Sequence, residues 1–162
     1  MEPFPAPQRG GPPPWLHLPG LEATQRAGRE LAATLAGGEL ILLHGPLGAG
    51  KTSLVQGLAA GLGVAGAVTS PTFALCNRLQ GRLELHHYDL YRVASLDQLR
   101  RIGFEESLES GAVVLVEWPA LALPLLRGEA LLVELGYAGD ARSLRWRWVG
   151  VEELVLPEFW DL

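Results

Sequence analysis

The stretch Leu40-Ile41-Leu42-Leu43-His44-Gly45-Pro46-Leu47-Gly48-Ala49-Gly50-Lys51-Thr52-Ser53 decides the fold. Its first four residues form a continuous apolar run, the pattern of a strand covered on both faces. The segment Gly45-x₄-Gly50-Lys51-Thr52 is a full match to the phosphate-binding P-loop pattern. Its glycines let the backbone wrap an anion so that successive N–H groups point inward, and the N-terminus of the next helix adds positive potential. Leu54, Leu58 and Leu62 supply that helix, which Gly63 ends. A chance glycine-rich turn would not need a buried strand before it and a helix after it. The pattern makes Gly45, Leu47, Gly48, Ala49, Gly50, Lys51, Thr52 and Ser53 nucleotide-contacting residues. In it Lys51 reaches the β- and γ-phosphates and the Thr52 hydroxyl coordinates Mg²⁺, so ATP and Mg²⁺ are the expected cofactors.

Outward from this loop the elements follow in order. Trp15 to Leu18 predicts a short strand, and the spacing of Ala23, Ala27, Leu31 and Leu35 predicts a helix over 22–35. Phe73–Leu79 and Arg82–Tyr88 read as a hairpin, Ser95 and Gln98 as a capping box opening a short helix, and Ala112–Val116 as a second buried strand. Leu131–Leu135 and Leu144–Val149 read as a final antiparallel pair around Gly139-Asp140. The expected fold is α/β: a P-loop NTPase-like mixed sheet with helices on its faces and a C-terminal antiparallel strand pair. Six of the twelve prolines fall in residues 1–14, which predicts a disordered tail there. Residues 15–150 then make one domain and 151–162 a C-terminal tail.

Composition excludes several functions. A formal charge of −5 argues against the chain gripping nucleic acid alone, so any link to RNA is expected to run through a partner. Twelve of the thirteen basic residues are arginine, and the single lysine, Lys51, stands in the loop whose chemistry calls for a compact point charge. Cys76 is the only cysteine, so no internal disulfide forms, and an inert thiol is the simplest reading of it. The longest apolar stretch, 112–126, is broken by Glu117, Pro119 and Pro124, which argues against a membrane span. No secretory pattern opens the chain, and a cytoplasmic protein is expected.

A P-loop ATPase also needs an acid at the end of another buried strand. Glu117 closes the run 112–116, and Asp89 closes the strand within His86-His87-Tyr88-Asp89-Leu90-Tyr91-Arg92. Asp89 reads either as a metal or water ligand or as a turn cap. His86 and His87 read as surface or core-edge residues, because no second His/Cys cluster lies at zinc spacing. Thr69-Ser70-Pro71-Thr72-Phe73 is either a switch-like loop or a turn that starts the next strand.

Taken together, Gly-Pro-Leu-Gly-Ala-Gly-Lys-Thr (45–52), Ser-Pro-Thr-Phe (70–73), His-Tyr-Asp-Leu-Tyr-Arg (87–92) and Val-Glu-Trp-Pro (116–119) resemble the TsaE family, formerly called YjeE. The resemblance runs from about Leu18 to Val149. It implies an ATPase subunit of the bacterial machinery that makes threonylcarbamoyladenosine in tRNA, working with TsaB and TsaD, with tRNA met only through the complex. It implies metal and catalytic roles for Asp89 and Glu117 beside Lys51 and Thr52, and a γ-phosphate loop at Ser70 and Thr72. It also implies a nucleotide-side tryptophan at Trp118 and an adenine pocket near Leu21–Thr24 and Ala141-Arg142. Pro46 departs from the aspartate that many members carry. The rival reading is a P-loop small-molecule kinase, which would carry several lid arginines where this chain has one adjacent pair, Arg100-Arg101. A GTPase is disfavoured because a chain whose only lysine is Lys51 has no Asn-Lys-x-Asp segment. A nucleotide-dependent assembly factor with negligible turnover is a third reading.

Overall fold

The computed structural model describes residues 2–71 and 74–154. Strands β1 (Gln8–Arg9) and β2 (Leu16–Leu18) precede helix α1 (Leu21–Ala32), strand β3 (Leu40–His44) and helix α2 (Lys51–Gly61). The hairpin β4 (Cys76–Leu79) and β5 (Leu85–Asp89) leads to short helices α3 (Leu96–Arg101) and α4 (Phe104–Glu109), then to β6 (Val113–Glu117). A 3₁₀ segment over Pro119–Leu125 connects to the long strands β7 (Glu129–Ala138) and β8 (Ala141–Gly150). One sheet takes them all in the order β1-β8-β7-β3-β6-β5-β4, with β2 also pairing β8. Its centre, β7-β3-β6-β5, is parallel, while β4 against β5 and β8 against β7 are antiparallel. The mixed α/β sheet and the C-terminal antiparallel pair expected from sequence are both present.

The unbroken apolar run of β3 is explained by what covers it. Ile41 and Leu43 join a core with α1 and α2, whereas Leu40 and Leu42 join a second core with Leu99, Phe104 and Ala122. A strand with helices on both faces favours apolar side chains, and each buried leucine contributes about 1.5–3 kcal/mol. The capping box also forms: the Gln98 N–H donates to Ser95 Oγ at 3.2 Å, and the Ala94 N–H donates to Gln98 Oε1 at 3.0 Å. Among the described residues no helix is long and apolar enough to cross a membrane.

Helices α1 and α2 approach so closely that their contact is built on glycine. A Cβ on Gly57 would lie 2.0 Å from the Gln25 carbonyl oxygen, and one on Gly28 would lie 2.3 Å from that of Leu54. Gly57→Ala is therefore expected to force the helices apart and destabilise the protein by about 1–3 kcal/mol. Urea denaturation measures this, and an unchanged midpoint would contradict the contact.

The structure departs from expectation at the N-terminus. Residues 2–14, expected as a disordered tail, lie along the sheet: Gln8 and Arg9 pair in parallel with Arg147 and Trp148. Phe4 meets Trp146 edge-on at 6.5 Å, the Trp146 indole N–H donates to the Pro5 carbonyl at 2.9 Å, and the Arg26 guanidinium sits 4.1 Å from the Phe4 centroid. Prolines are compatible with an extended segment at a sheet edge, where they forgo a donor the ladder does not need. Composition alone carried no sign that Trp146 would offer this segment a partner. Elsewhere boundaries move: the first helix ends at Ala32, and β4 begins at Cys76, while Thr72 and Phe73 lie outside the described residues. The expected C-terminal tail opens with a 3₁₀ turn at Val151–Glu153, and its residues 155–162 lie outside the described residues.

Candidate functional site

Three adjacent parallel strands end side by side. Leu43 of β3 is in register with Glu117 of β6, which is in register with Asp89 of β5. The loop after β3 therefore faces both acids at the carboxyl edge of the sheet, where open α/β sheets hold their ligands.

The loop's shape depends on its glycines. Gly48 and Gly50 adopt φ of +79° and +106°, left-handed torsions that other residues resist, and Gly50 caps α2. The Ala49 N–H donates to the Pro46 carbonyl at 3.1 Å, and Pro46 itself is not asked for a donor. Lys51 is buried, its Nζ donating to the Gly45 carbonyl at 2.8 Å and lying 4.1 Å from the Trp118 ring centroid. Burial lowers the Lys51 pKa, and the charges of Glu117 and Asp89 pull it back up. His44 is held down to about 3 by burial and by the Lys51 charge, so it is a neutral ring and adds no second cation. Thr52 and Ser53 follow in the first turn of α2, with Thr52 exposed.

The two acids differ in setting. Asp89 accepts from Ser70 Oγ at 3.2 Å through Oδ2 and from the Tyr91 N–H at 3.1 Å through Oδ1. It thus holds a turn, as the turn-cap reading expects, and also faces the Ser70 loop. Glu117 is buried and its Oε2 lies 2.6 Å from His87 Nε2. Trp118 adopts a left-handed φ of 55°, unusual for a residue other than glycine, as the chain leaves β6. Its indole covers the Lys51 ammonium and packs against the Tyr91 ring at 5.0 Å. The reading of His86 and His87 as surface or core-edge residues is corrected here. Both are buried, because β5 lies inside the sheet, and both are bonded, His86 to Ser107 and Glu84 and His87 to Glu117. Cys76 is half-buried and its thiol is pushed up by burial, the opposite of an activated nucleophile.

Beside the loop, Leu21 and Thr24 of α1, Gly48, Gly50, Ser53 and Arg142 line a cleft of about 210 Å³. Thr24 and Arg142, far apart in sequence, meet there. The Arg142 guanidinium donates to the Gly48 carbonyl at 3.1 Å and lies over the Tyr137 ring, whose hydroxyl donates to the Leu47 carbonyl. Sequence reasoning missed Tyr137 as a brace for the loop, since only the β7–β8 register brings it there. Of the sequence-predicted site residues, Thr72 alone lies outside the described residues.

This arrangement is suited to an anion with a flat heterocycle beside it: glycine torsions that open a backbone cradle, a helix N-terminus, a lone ammonium and an adjoining cleft. Among the described residues no cluster of three His, Cys, Asp or Glu side chains forms a metal site by itself. A hydroxyl at Thr52 with acids at Asp89 and Glu117 instead matches Mg²⁺, which takes few protein oxygens and completes its shell with water and phosphate.

Residues 18–144 match the family model of the threonylcarbamoyl adenosine biosynthesis protein TsaE. The chain is 45% identical over 108 residues to the tRNA threonylcarbamoyladenosine biosynthesis protein TsaE of Synechocystis sp., covering 63% of this chain and 68% of that one. The protein of the same name from Bacillus subtilis is 38% identical over 120 residues, covering 74% and 75%. That from Mycobacterium tuberculosis is 36% identical over 143 residues, covering 81% and 84%. The crystal structure of Bacillus subtilis YdiB superposes with a TM-score of 0.72 at 31% identity, over 85% of this chain and 86% of that one. With a phosphate-loop sheet, two acids at neighbouring strand ends and this run of relatives, the chain belongs to the TsaE family of threonylcarbamoyl adenosine biosynthesis proteins.

Proposed function

We propose that this chain is an ATP-binding, Mg²⁺-dependent ATPase subunit of the machinery that makes N6-threonylcarbamoyladenosine in tRNA, and that it acts with TsaB and TsaD. The observation that carries the reading is the convergence of the 45–52 loop, Asp89 and Glu117 at three adjacent strand ends. Lys51 leaves the Gly45 carbonyl to neutralise β- and γ-phosphate oxygens, and backbone N–H groups of Gly48–Thr52 hold the rest. Thr52, Asp89 and Glu117 would hold Mg²⁺, which would supply neutralisation of phosphate charge. Asp89 and Ser70, joined by a hydrogen bond, would orient the attacking water at the γ-phosphorus. The cleft at Thr24, Ser53 and Arg142 takes the adenine. The net charge of −5 supports meeting tRNA only through the partners. A kinase lid finds no support in Arg100, which stands exposed on α3 and is engaged by Glu105 at 3.0 Å.

Trp118 reports on the binding step. Its indole carries the Lys51 ammonium at 4.1 Å, a contact that phosphate would take away. Adding ATP with Mg²⁺ is expected to change tryptophan emission saturably, and Trp118→Phe to remove most of that change. Emission unaltered by ATP up to millimolar concentration would contradict the reading.

A further inference from the structure

We propose that His87 is a positioning residue for Glu117: its Nε2–H fixes the buried carboxylate so that it faces the phosphate loop. The proposal rests on the ATPase reading above and assigns a role to a residue that the reading does not use.

The alternation of β5 places Leu85, His87 and Asp89 on one face of the sheet, the face that Leu115 and Glu117 share on β6. His87 is in register with Leu115, one pleat below the Asp89–Glu117 pair, so its ring reaches diagonally to Glu117. The result is a 2.6 Å contact between Nε2 and Oε2, with both side chains almost wholly buried. The other ring nitrogen settles which atom carries the proton. Nδ1 is buried and meets no hydrogen-bond partner among the described residues, so a proton there would be an unpaired donor in the core. With no acceptor at Nδ1, the hydrogen of the contact is assigned to Nε2, which donates it to Glu117.

A core histidine that only filled space would satisfy Nδ1 as well, as the neighbouring His86 does with Ser107 and Glu84. His87 instead leaves one nitrogen bare and makes its single bond to the acid beside the loop. That bond takes one carboxylate oxygen, restricts rotation of the Glu117 side chain and orients the group that would meet the metal. Partners that orient ligands in this way typically matter by about 10–100-fold in metal affinity or activity.

The experiment compares the parent, Glu117→Gln, His87→Asn and His87→Gln. The asparagine amide is too short to reach Glu117, whereas the glutamine amide N–H lies near the place of Nε2. Calorimetry measures the ATP dissociation constant with and without Mg²⁺, phosphate release measures turnover, and thermal melting checks the fold. His87→Asn is expected to keep metal-free ATP affinity within about twofold, to lose most of the tightening that Mg²⁺ gives, and to slow turnover about 10–100-fold. His87→Gln is expected to recover both. Parental Mg²⁺ tightening and turnover in folded His87→Asn would overturn the proposal, as would a folded His87→Gln as impaired as His87→Asn. Should His87→Asn not fold, His87→Gln decides alone: retention of the Mg²⁺ effect supports the role and its loss overturns it. A parent that neither binds ATP nor releases phosphate, or that Glu117→Gln leaves unaffected, overturns the ATPase reading itself and the proposal with it.

Discussion

Lys51→Ala is expected to abolish measurable ATP binding while the fold survives. Lys51 is the only lysine in the chain and the one cation the loop itself carries, His44 being neutral. A charge-assisted hydrogen bond contributes about 1.5–3 kcal/mol, so two such bonds to phosphate correspond to about 10²–10⁴ in affinity. The fold should tolerate the loss because a buried ammonium is itself a cost: burial already lowers the Lys51 pKa. Alanine frees that desolvation and gives up one bond to the Gly45 carbonyl. Calorimetry with ATP and Mg²⁺ checks the first half and thermal melting the second. Parental affinity in a folded Lys51→Ala protein would remove the loop from nucleotide binding.

Asp89→Asn is expected to separate binding from turnover, slowing phosphate release by about 10²–10⁴ with ATP affinity kept within a few-fold. The substitution is informative because of what it preserves. An asparagine carbonyl still accepts from the Tyr91 N–H, so the turn after β5 stands. What disappears is a negative charge beside Ser70 and opposite the loop. Were Asp89 only a turn cap, the variant would release phosphate at the parental rate. Single-turnover phosphate release on saturating ATP makes the distinction.

The two acids also show how far the sequence could be read. The loop was legible because its determinants are contiguous: a strand, glycines at the left-handed positions, a lysine and a helix, all within 40–62. Asp89 and Glu117 were legible as strand ends, but that β5 and β6 are neighbours is a property of the sheet order. His87 was not, since an apolar run containing two histidines gives no sign of which one meets an acid thirty residues later. Tyr137 was hidden for the same reason, reaching the loop through the register of two long strands, and Arg142 was named only through the family resemblance. The N-terminal segment was misjudged from its prolines, because composition counts what a segment lacks and not what awaits it. Phe4 and Trp146 are separated by almost the whole chain, and their contact belongs to the fold alone.

Phosphate release by this chain alone, and then with TsaB and TsaD present, tests the central claim most directly. On the proposed reading, the loop binds the nucleotide and Thr52, Asp89 and Glu117 hold the metal. Arg142, beside the loop, is engaged with the Gly48 carbonyl and the Tyr137 ring. In related P-loop enzymes an arginine supplied by a partner accelerates the reaction about 10³–10⁵-fold. Slow, Mg²⁺-dependent release by the isolated chain is therefore expected, with clear stimulation by the two partners and no tRNA retained by the chain alone at physiological salt. Rapid release by the chain alone that TsaB and TsaD leave unchanged would contradict the role as a subunit, as would tight tRNA binding without them.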